Sequence, residues 1–333
     1  MWLKRVATHT PARIAKTLVM RVAFGALLIP ALLPAQELVA EPYITEAAGR
    51  KLKTCTHIAF LNGYEFVTDL GNDRILYRKA GSTDPLEAAA WIVNGPHSVS
   101  TMGGYYIVDD TENNRIAAYS DFNAAEPIIQ ADFLGGVSLE RPHDVVFDPW
   151  RGCVYALNPN EPKVMRFTTL SGDVDVLDLS SELNYSRGLT VTGGKLYVVG
   201  SSLGKVIEVD DFDSAKYTVH TGHGKVAEAP AGNWTKTGLV LNDVDMYAGS
   251  WYATCFFSPK YSDPTQDCNK NKLIRFKTWQ DFETGTWEDL SSLLPADIVP
   301  YFLTPYGDSL YLGAFYDEDN GPGDVIFRLK PKS

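Results

Sequence analysis

The chain has 333 residues, 45% of them hydrophobic, and a formal charge of −11, so it can bury a full core and does not have the composition of a disordered chain. That acidic balance repels phosphate backbones and anionic lipid, which excludes nucleic acid and membrane surfaces as expected partners and leaves neutral or cationic ligands and metal ions. With 19 prolines, 27 glycines, 12% aromatics and no long run at helical spacing, the expected class is all-β.

Residues 1–36 carry Lys4, Arg5, Arg13, Lys16 and Arg21 with no acid, followed by an apolar run from Val22 to Ala35 that Pro30 interrupts. At about 14 residues the run is too short for a stable membrane span. A cleaved secretory signal is expected, with cleavage near Ala35 or Ala40, and hence a secreted or periplasmic protein. A mitochondrial presequence is the rival reading, and a start at Met20 rather than Met1 stays open. Without the five cations the formal charge falls from −11 to −16.

From residue 37 onward the strand-like runs align on their turn glycines. "HIAFLNGYEFVTDLGNDRILYR" starts at His57 and "HSVSTMGGYYIVDDTENNRIAAYS" at His97, and they match as a starting His, an alternating run, a Gly turn and an aromatic strand. Each such strand ends in Asp69 or Asp109, and Asn72 or Asn113 and Arg74 or Arg115 follow in a tight turn. A third copy is "RPHDVVFDPWRGCVYALNPNEPKVMRF", and fainter ones start near Gly188, Asn242 and Tyr301. Each unit holds three strands and a weaker fourth at a period of about 40–60 residues, which describes a β-propeller. The sixth unit stops at its third strand. The segment "ELVAEPYITEA" is expected to supply the missing outer strand, so that residues 37–333 form one six-bladed ring with no exposed edge.

The turns "VTDLGNDRI" and "VDDTENNRI" resemble the NHL repeat, in which an Asp ends the second strand and Asn-Arg-Ile opens the third. The resemblance implies the propeller and does not choose among ligand-binding modules, protein-binding modules and enzymes. The repeated Asp69, Asp109, Asn72, Asn113, Arg74 and Arg115 are read as turn-satisfying residues that pack between blades.

In a propeller the six inner strands begin at one mouth of the channel. Here those starts are His57, His97, His143, Gly188 with Arg187 before it, Asn242 and Tyr301. His220 and His223, in the segment leading to the fifth blade, place every histidine after residue 36 at that end. Converging imidazoles suit a divalent metal or acid–base work near neutral pH. The expectation is a zinc, calcium or other divalent ion on His57, His97 and His143, with Asn242, His223 or water completing the shell. Arg187 would hold a substrate carboxylate, with Tyr185 moving a proton and His223 a further catalytic candidate. The plainer alternative is one ancestral histidine copied with the repeat and bonded to a neighbouring blade's backbone.

Other features point to structure. Asp317, Glu318 and Asp319 read as a solvated loop, since the alternation of a calcium loop is missing. Trp234 and Trp251 are packing residues or an aromatic wall for a sugar. Cys255 and Cys268 flank a loop and are expected to form a disulfide, whereas Cys55 and Cys153 show no such relation. No nucleophile elbow, phosphate-binding loop or dinucleotide fingerprint is present.

Two enzyme families share this architecture. Asn242-Asp243 resembles one element of the calcium site of gluconolactonase-like propellers, although their opening Glu-Gly-Pro motif is missing. "RPHDV" and "GPHSV" are similar to the Pro-His strand starts of peptidyl-amidoglycolate lyases, which implies zinc on channel histidines with Arg187 and Tyr185 handling substrate. The expected protein is a monomer that binds a divalent metal and a small-molecule, peptide or sugar ligand at its histidine-lined mouth, for metal-dependent lyase or hydrolase chemistry. The alternative is a non-catalytic NHL-like scaffold binding ligand or protein through its loops.

Overall fold

The computed structural model describes residues 37–47, 49–201, 204–223, 239–255, 272–296, 298–316 and 323–332. The chain divides into two units, Met1–Gln36 and Glu37–Ser333. The targeting segment expected at 1–36 lies outside the described residues, as do Trp234, Cys268 and the acidic run Asp317, Glu318 and Asp319. Among the described residues no helix is long and apolar enough to cross a membrane.

Residues 37–333 form the expected six-bladed propeller, each blade a four-stranded antiparallel sheet. The inner strands are Cys55–Leu61, Val99–Met102, Asp144–Asp148, Ser186–Thr192, Leu241–Tyr247 and Ile298–Tyr306, and each touches the next around the ring. Glycine makes the tight hairpins possible: Gly63, between the first two strands of blade 1, sits at φ 82, where a side chain would be strained. The sixth blade takes its outer strand from the front of the chain. Leu38–Ile44 pairs antiparallel with Val325–Pro331, from Leu38 opposite Pro331 to Ile44 opposite Ile326, and Arg328 reaches across to Glu41. This pairing covers the edge that Val325–Pro331 would otherwise expose to other chains.

Hydrophobic side chains pack between blades, so the core is a ring of interfaces. Phe66 and Ile75 of blade 1 meet Trp91, Val108 and Tyr119 of blade 2, while Tyr252 and Leu273 of blade 5 meet Leu303, Leu312 and Phe327 of blade 6. Truncating a fully buried ring such as Phe66 to alanine would cost about 3–5 kcal/mol. Trp251 belongs to this packing, with its ring 4.8 Å from those of Tyr197 and Trp279.

The repeated turn works as expected, with one correction. Asp69 accepts from Lys53 N (2.7 Å), Asn72 Nδ2 (2.9 Å) and Arg74 Nε (2.7 Å). Its partner in blade 2 is Asp110, not Asp109: Asp110 accepts from Asn94 N (2.6 Å), Asn113 Nδ2 (2.9 Å) and Arg115 Nε (2.6 Å). In blade 3 Asn158 does the same for Glu140 N at 2.8 Å. Asp109 points the other way, because adjacent strand residues face opposite sides. It accepts from His97 N (3.0 Å), Ser98 N (2.6 Å) and Ser98 Oγ (3.0 Å).

Cys55, Cys153 and Cys255 are buried free thiols. Burial pushes the Cys255 thiol well above its usual range. Its expected disulfide partner, Cys268, is outside the described residues.

Candidate active site at the channel mouth

The hydrogen-bond ladders fix which strand starts are equivalent. Ile58, Val99, Val145, Leu189, Val244 and Leu303 sit opposite Val67, Val108, Ala156, Val198, Ala253 and Leu312. One residue back lie His57, Ser98, Asp144, Gly188, Asp243 and Phe302; two back lie Thr56, His97, His143, Arg187, Asn242 and Tyr301. His57 is therefore one residue out of phase with His97 and His143, and the three-histidine set expected from the sequence is not assembled. In blade 1 the histidine stands 12 residues before Asp69, whereas in blade 2 it stands 13 before Asp110, the counterpart of Asp69. A one-residue slip sends a side chain to the other face.

Four side chains of the second set form the site. His97 and His143 lie with ring centroids 4.0 Å apart. Tyr301 reaches across from blade 6, its hydroxyl 3.4 Å from His143 Nε2, and accepts from Arg187 Nη1 at 3.0 Å. Arg187 also donates to Ser201 Oγ at 3.1 Å. Tyr185 closes the edge, with the Arg187 guanidinium 5.3 Å from its ring centre and its ring edge-on to His143 at 6.1 Å. His97, His143 and Tyr301 are 7%, 4% and 3% exposed, whereas Arg187 and Tyr185 are only partly buried and form the face towards solvent. Of the expected residues, then, His97, His143, Arg187 and Tyr185 are brought together. Asn242 holds the equivalent place in blade 5, where its Nδ2 donates to Pro300 O at 2.8 Å. Tyr301, read from the sequence only as a strand start, is the member that bridges His143 and Arg187.

Protonation follows from burial. Desolvation and the nearby Arg187 charge lower His97 to about 3 and hold His143 well below the usual imidazole range, so both rings are neutral at pH 7. The Thr111 hydroxyl gives its one proton to Pro142 O (2.7 Å), so at 2.9 Å it accepts from His97 Nδ1. His97 thus carries its proton on Nδ1 and a lone pair on Nε2. Burial raises the Tyr301 phenol, and Arg187 pulls against that rise. His143 Nδ1, Ser186 Oγ and Asn242 Oδ1 are buried and have no hydrogen-bond partner among the described residues.

The remaining histidines lie apart from this cluster, His220 at the same end of blade 4 but on its outer strand. His220, on the outer strand Lys216–Thr221, is clamped between Glu208 (3.1 Å) and Glu283 (2.9 Å) and stacked on Trp279 at 4.3 Å. His223 is exposed and held through its backbone, its N donating to Phe282 O (3.0 Å) and its carbonyl accepting from Trp287 Nε1 (2.8 Å). Of the expected metal ligands, His97 and His143 meet, and among the described residues no group of three or more His, Cys, Asp or Glu side chains is gathered at one point.

No family profile matches the chain. No curated protein matches it either. Solved structures do resemble it in fold. A catalytically inactive histidine-to-alanine variant of virginiamycin B lyase from Staphylococcus aureus, with quinupristin, superposes at TM-score 0.57 and 13% identity over 85% of this chain and 83% of that one. A structure described as a gluconolactonase gives TM-score 0.57 and 14% identity over 90% and 93%. A streptogramin B lyase gives 0.52 and 12% over 89% and 98%. At these identities the likeness is one of fold, and it agrees with the propeller described above.

Proposed function

We infer that the mouth cluster binds a small ligand bearing a carboxylate or ester oxygen and opens it by lyase or hydrolase chemistry. The observation that carries this reading is the convergence of His97, His143, Arg187 and Tyr301 from four blades, beside buried polar atoms that lack hydrogen-bond partners among the described residues. Each such atom costs about 1–3 kcal/mol in an apolar interior, a cost that a bound polar ligand offsets. Fold neighbours that include lyases and a gluconolactonase support it.

The chemistry follows from the groups. Lyase cleavage needs a base to take a proton from carbon and an acid to protonate the departing oxygen; hydrolysis needs a base to activate water. His143 and Tyr301 face each other with those functions. The neutral imidazole takes a proton and the phenol gives or relays one. Arg187 places positive charge where an oxyanion develops, and its bond to the Tyr301 oxygen eases loss of the phenol proton. Tyr185 stacks against the guanidinium and fixes its direction. Each of these roles is filled by a side chain of the cluster itself.

The test is to incubate the protein with cyclic esters, quinupristin and a gluconolactone among them, and to follow the products by mass spectrometry. Ring opening at unchanged mass marks a lyase, and a gain of one water a hydrolase. Arg187→Ala, His143→Ala and Tyr301→Phe should each abolish turnover. Turnover that survives all three substitutions overturns the assignment, and activity that a chelator removes and added metal restores would return the metal reading.

A further inference from the structure

Away from the mouth, the inner strands enclose a cavity of about 440 Å³, within the range of small-molecule sites. His57, Asp144, Asp243 and Phe302, all from the first of the two residue sets, line it, together with Asp245, Ser100 and Thr190. Its far rim is made by the ends of the inner strands, where Phe60 stacks on Tyr306 at 3.9 Å and an interplanar angle of 2°, and where Phe147 and Trp150 add further rings. Trp150 is 62% exposed and Tyr306 46%, so large aromatic faces stand in water at this opening.

The polar partners inside are one-sided. Asp144 Oδ2 accepts from Leu189 N (2.7 Å), and Asp243 accepts from Val244 N and Leu303 N (2.8 Å each). Asp245 Oδ1 accepts from Met246 N at 2.6 Å. Three carboxyls thus hang on backbone amides, and none of their recorded partners is a cationic side chain. His57 Nδ1 is buried in the same cavity wall with no hydrogen-bond partner among the described residues, its ring edge-on to Phe302 at 5.7 Å. Buried carboxyls are ordinarily paired. Here the missing counter-charge and the aromatic rim call for one molecule that carries both a cation and a ring or chain.

We propose that this cavity is a second binding site, separate from the mouth cluster, for an organic ammonium ligand whose charged nitrogen sits between Asp144, Asp243 and Asp245 and whose apolar part rests on the Phe60, Phe147 and Trp150 rim. A compact metal ion fits less well, since the carboxyls are not gathered to one point. An amine makes separate charge-assisted bonds to spaced carboxylates and cation–π contacts at the rim.

Calorimetric titration of the full chain with tryptamine and spermidine, beside N-acetyltryptamine and calcium chloride, tests the site. One-to-one binding of an amine is expected, at least about tenfold weaker in Asp245→Asn, where a charge-assisted bond is lost. Trp150→Ala, at an exposed position, should weaken tryptamine while leaving the fold intact. Arg187→Ala at the mouth should leave amine binding unchanged, so that failure of this site and failure of the mouth reading are told apart. No saturable binding of either amine, equal binding of the neutral N-acetyl analogue, binding of calcium alone, or affinity unchanged in both cavity variants would overturn the proposal.

Discussion

At the mouth, His97, His143, Arg187 and Tyr301 bring two neutral imidazoles, a phenol and a fixed positive charge into contact. In the cavity below, His57, Asp144, Asp243 and Phe302 from the same six strands present buried carboxyls bonded, among the described residues, to backbone amides rather than to cations. The two sets differ by one step along each strand. A propeller repeats its backbone, and the alternation of side chains along each strand lets adjacent positions build two chemically opposite surfaces from one repeated element.

The largest expected effect comes from breaking one end alone. Arg187→Ala should lower turnover at the mouth by about 100-fold or more, the usual scale for losing a preorganised charge, while thermal stability and amine binding stay near the parent's. Equal loss at both ends would show that they act as one site.

Gly188 sits at the seam, between Arg187 of one set and Asp243 of the other. A Cβ there would lie 2.9 Å from both Asn242 O and Asp243 Oδ1. Gly188→Ala should therefore cost about 1–3 kcal/mol in denaturant unfolding and impair both ends together. A fully stable variant would mean that the seam yields freely.

Acid and base should separate the two ends by sign. The fold lowers His97 from 6.5 to about 3, so the unfolded chain binds the extra proton between those values and acidification through that window destabilises the protein. Burial raises Asp144 and Asp245 from 3.8 to about 7, so here the folded chain holds the extra protons and stability is lost as pH rises from 3.8 towards 7. Relative to the parent, Asp245→Asn should gain melting temperature near pH 8 compared with about pH 5, and His97→Gln should gain near pH 4 compared with about pH 7. Parallel melting profiles for parent and variants would sink this account.

The smallest effect concerns one proton. Thr111→Val removes the acceptor of His97 Nδ1–H and should cost about 1 kcal/mol. Nitrogen chemical shifts of the His97 ring should show the Nδ1–H form in the parent and a mixture in the variant. An unchanged tautomer would mean that another group fixes it.

The sequence made the blade count and the closing strand legible, because turn glycines, alternating runs and the Asp-x-x-Asn-x-Arg turn are local signals. Register was not legible. Matching Asp69 to Asp109 instead of Asp110 set His57 level with His97, one residue away from its true counterpart Ser98. The Asp109-Asp110 pair offered two candidates for one role, and spacing to Asn113 and Arg115 would have chosen Asp110. Asp144 and Asp245 escaped notice because each reads as an ordinary polar residue of a strand, and Asp243 was noticed only beside Asn242, not as one of three carboxyls. Only the curvature of the ring brings their walls together.

The pairing of Leu38–Ile44 with Val325–Pro331 has a consequence for how the chain is made. Leu38–Ile44 is made before the other described strands of the propeller and must wait for Val325–Pro331, made after them, before it finds its neighbour. Until then the sixth blade has no outer strand and the ring no seal, and contacts so distant in sequence form slowly. Until Val325–Pro331 has been made, the unpaired Leu38–Ile44 is open to other chains, so the growing protein is most prone to aggregate in that interval.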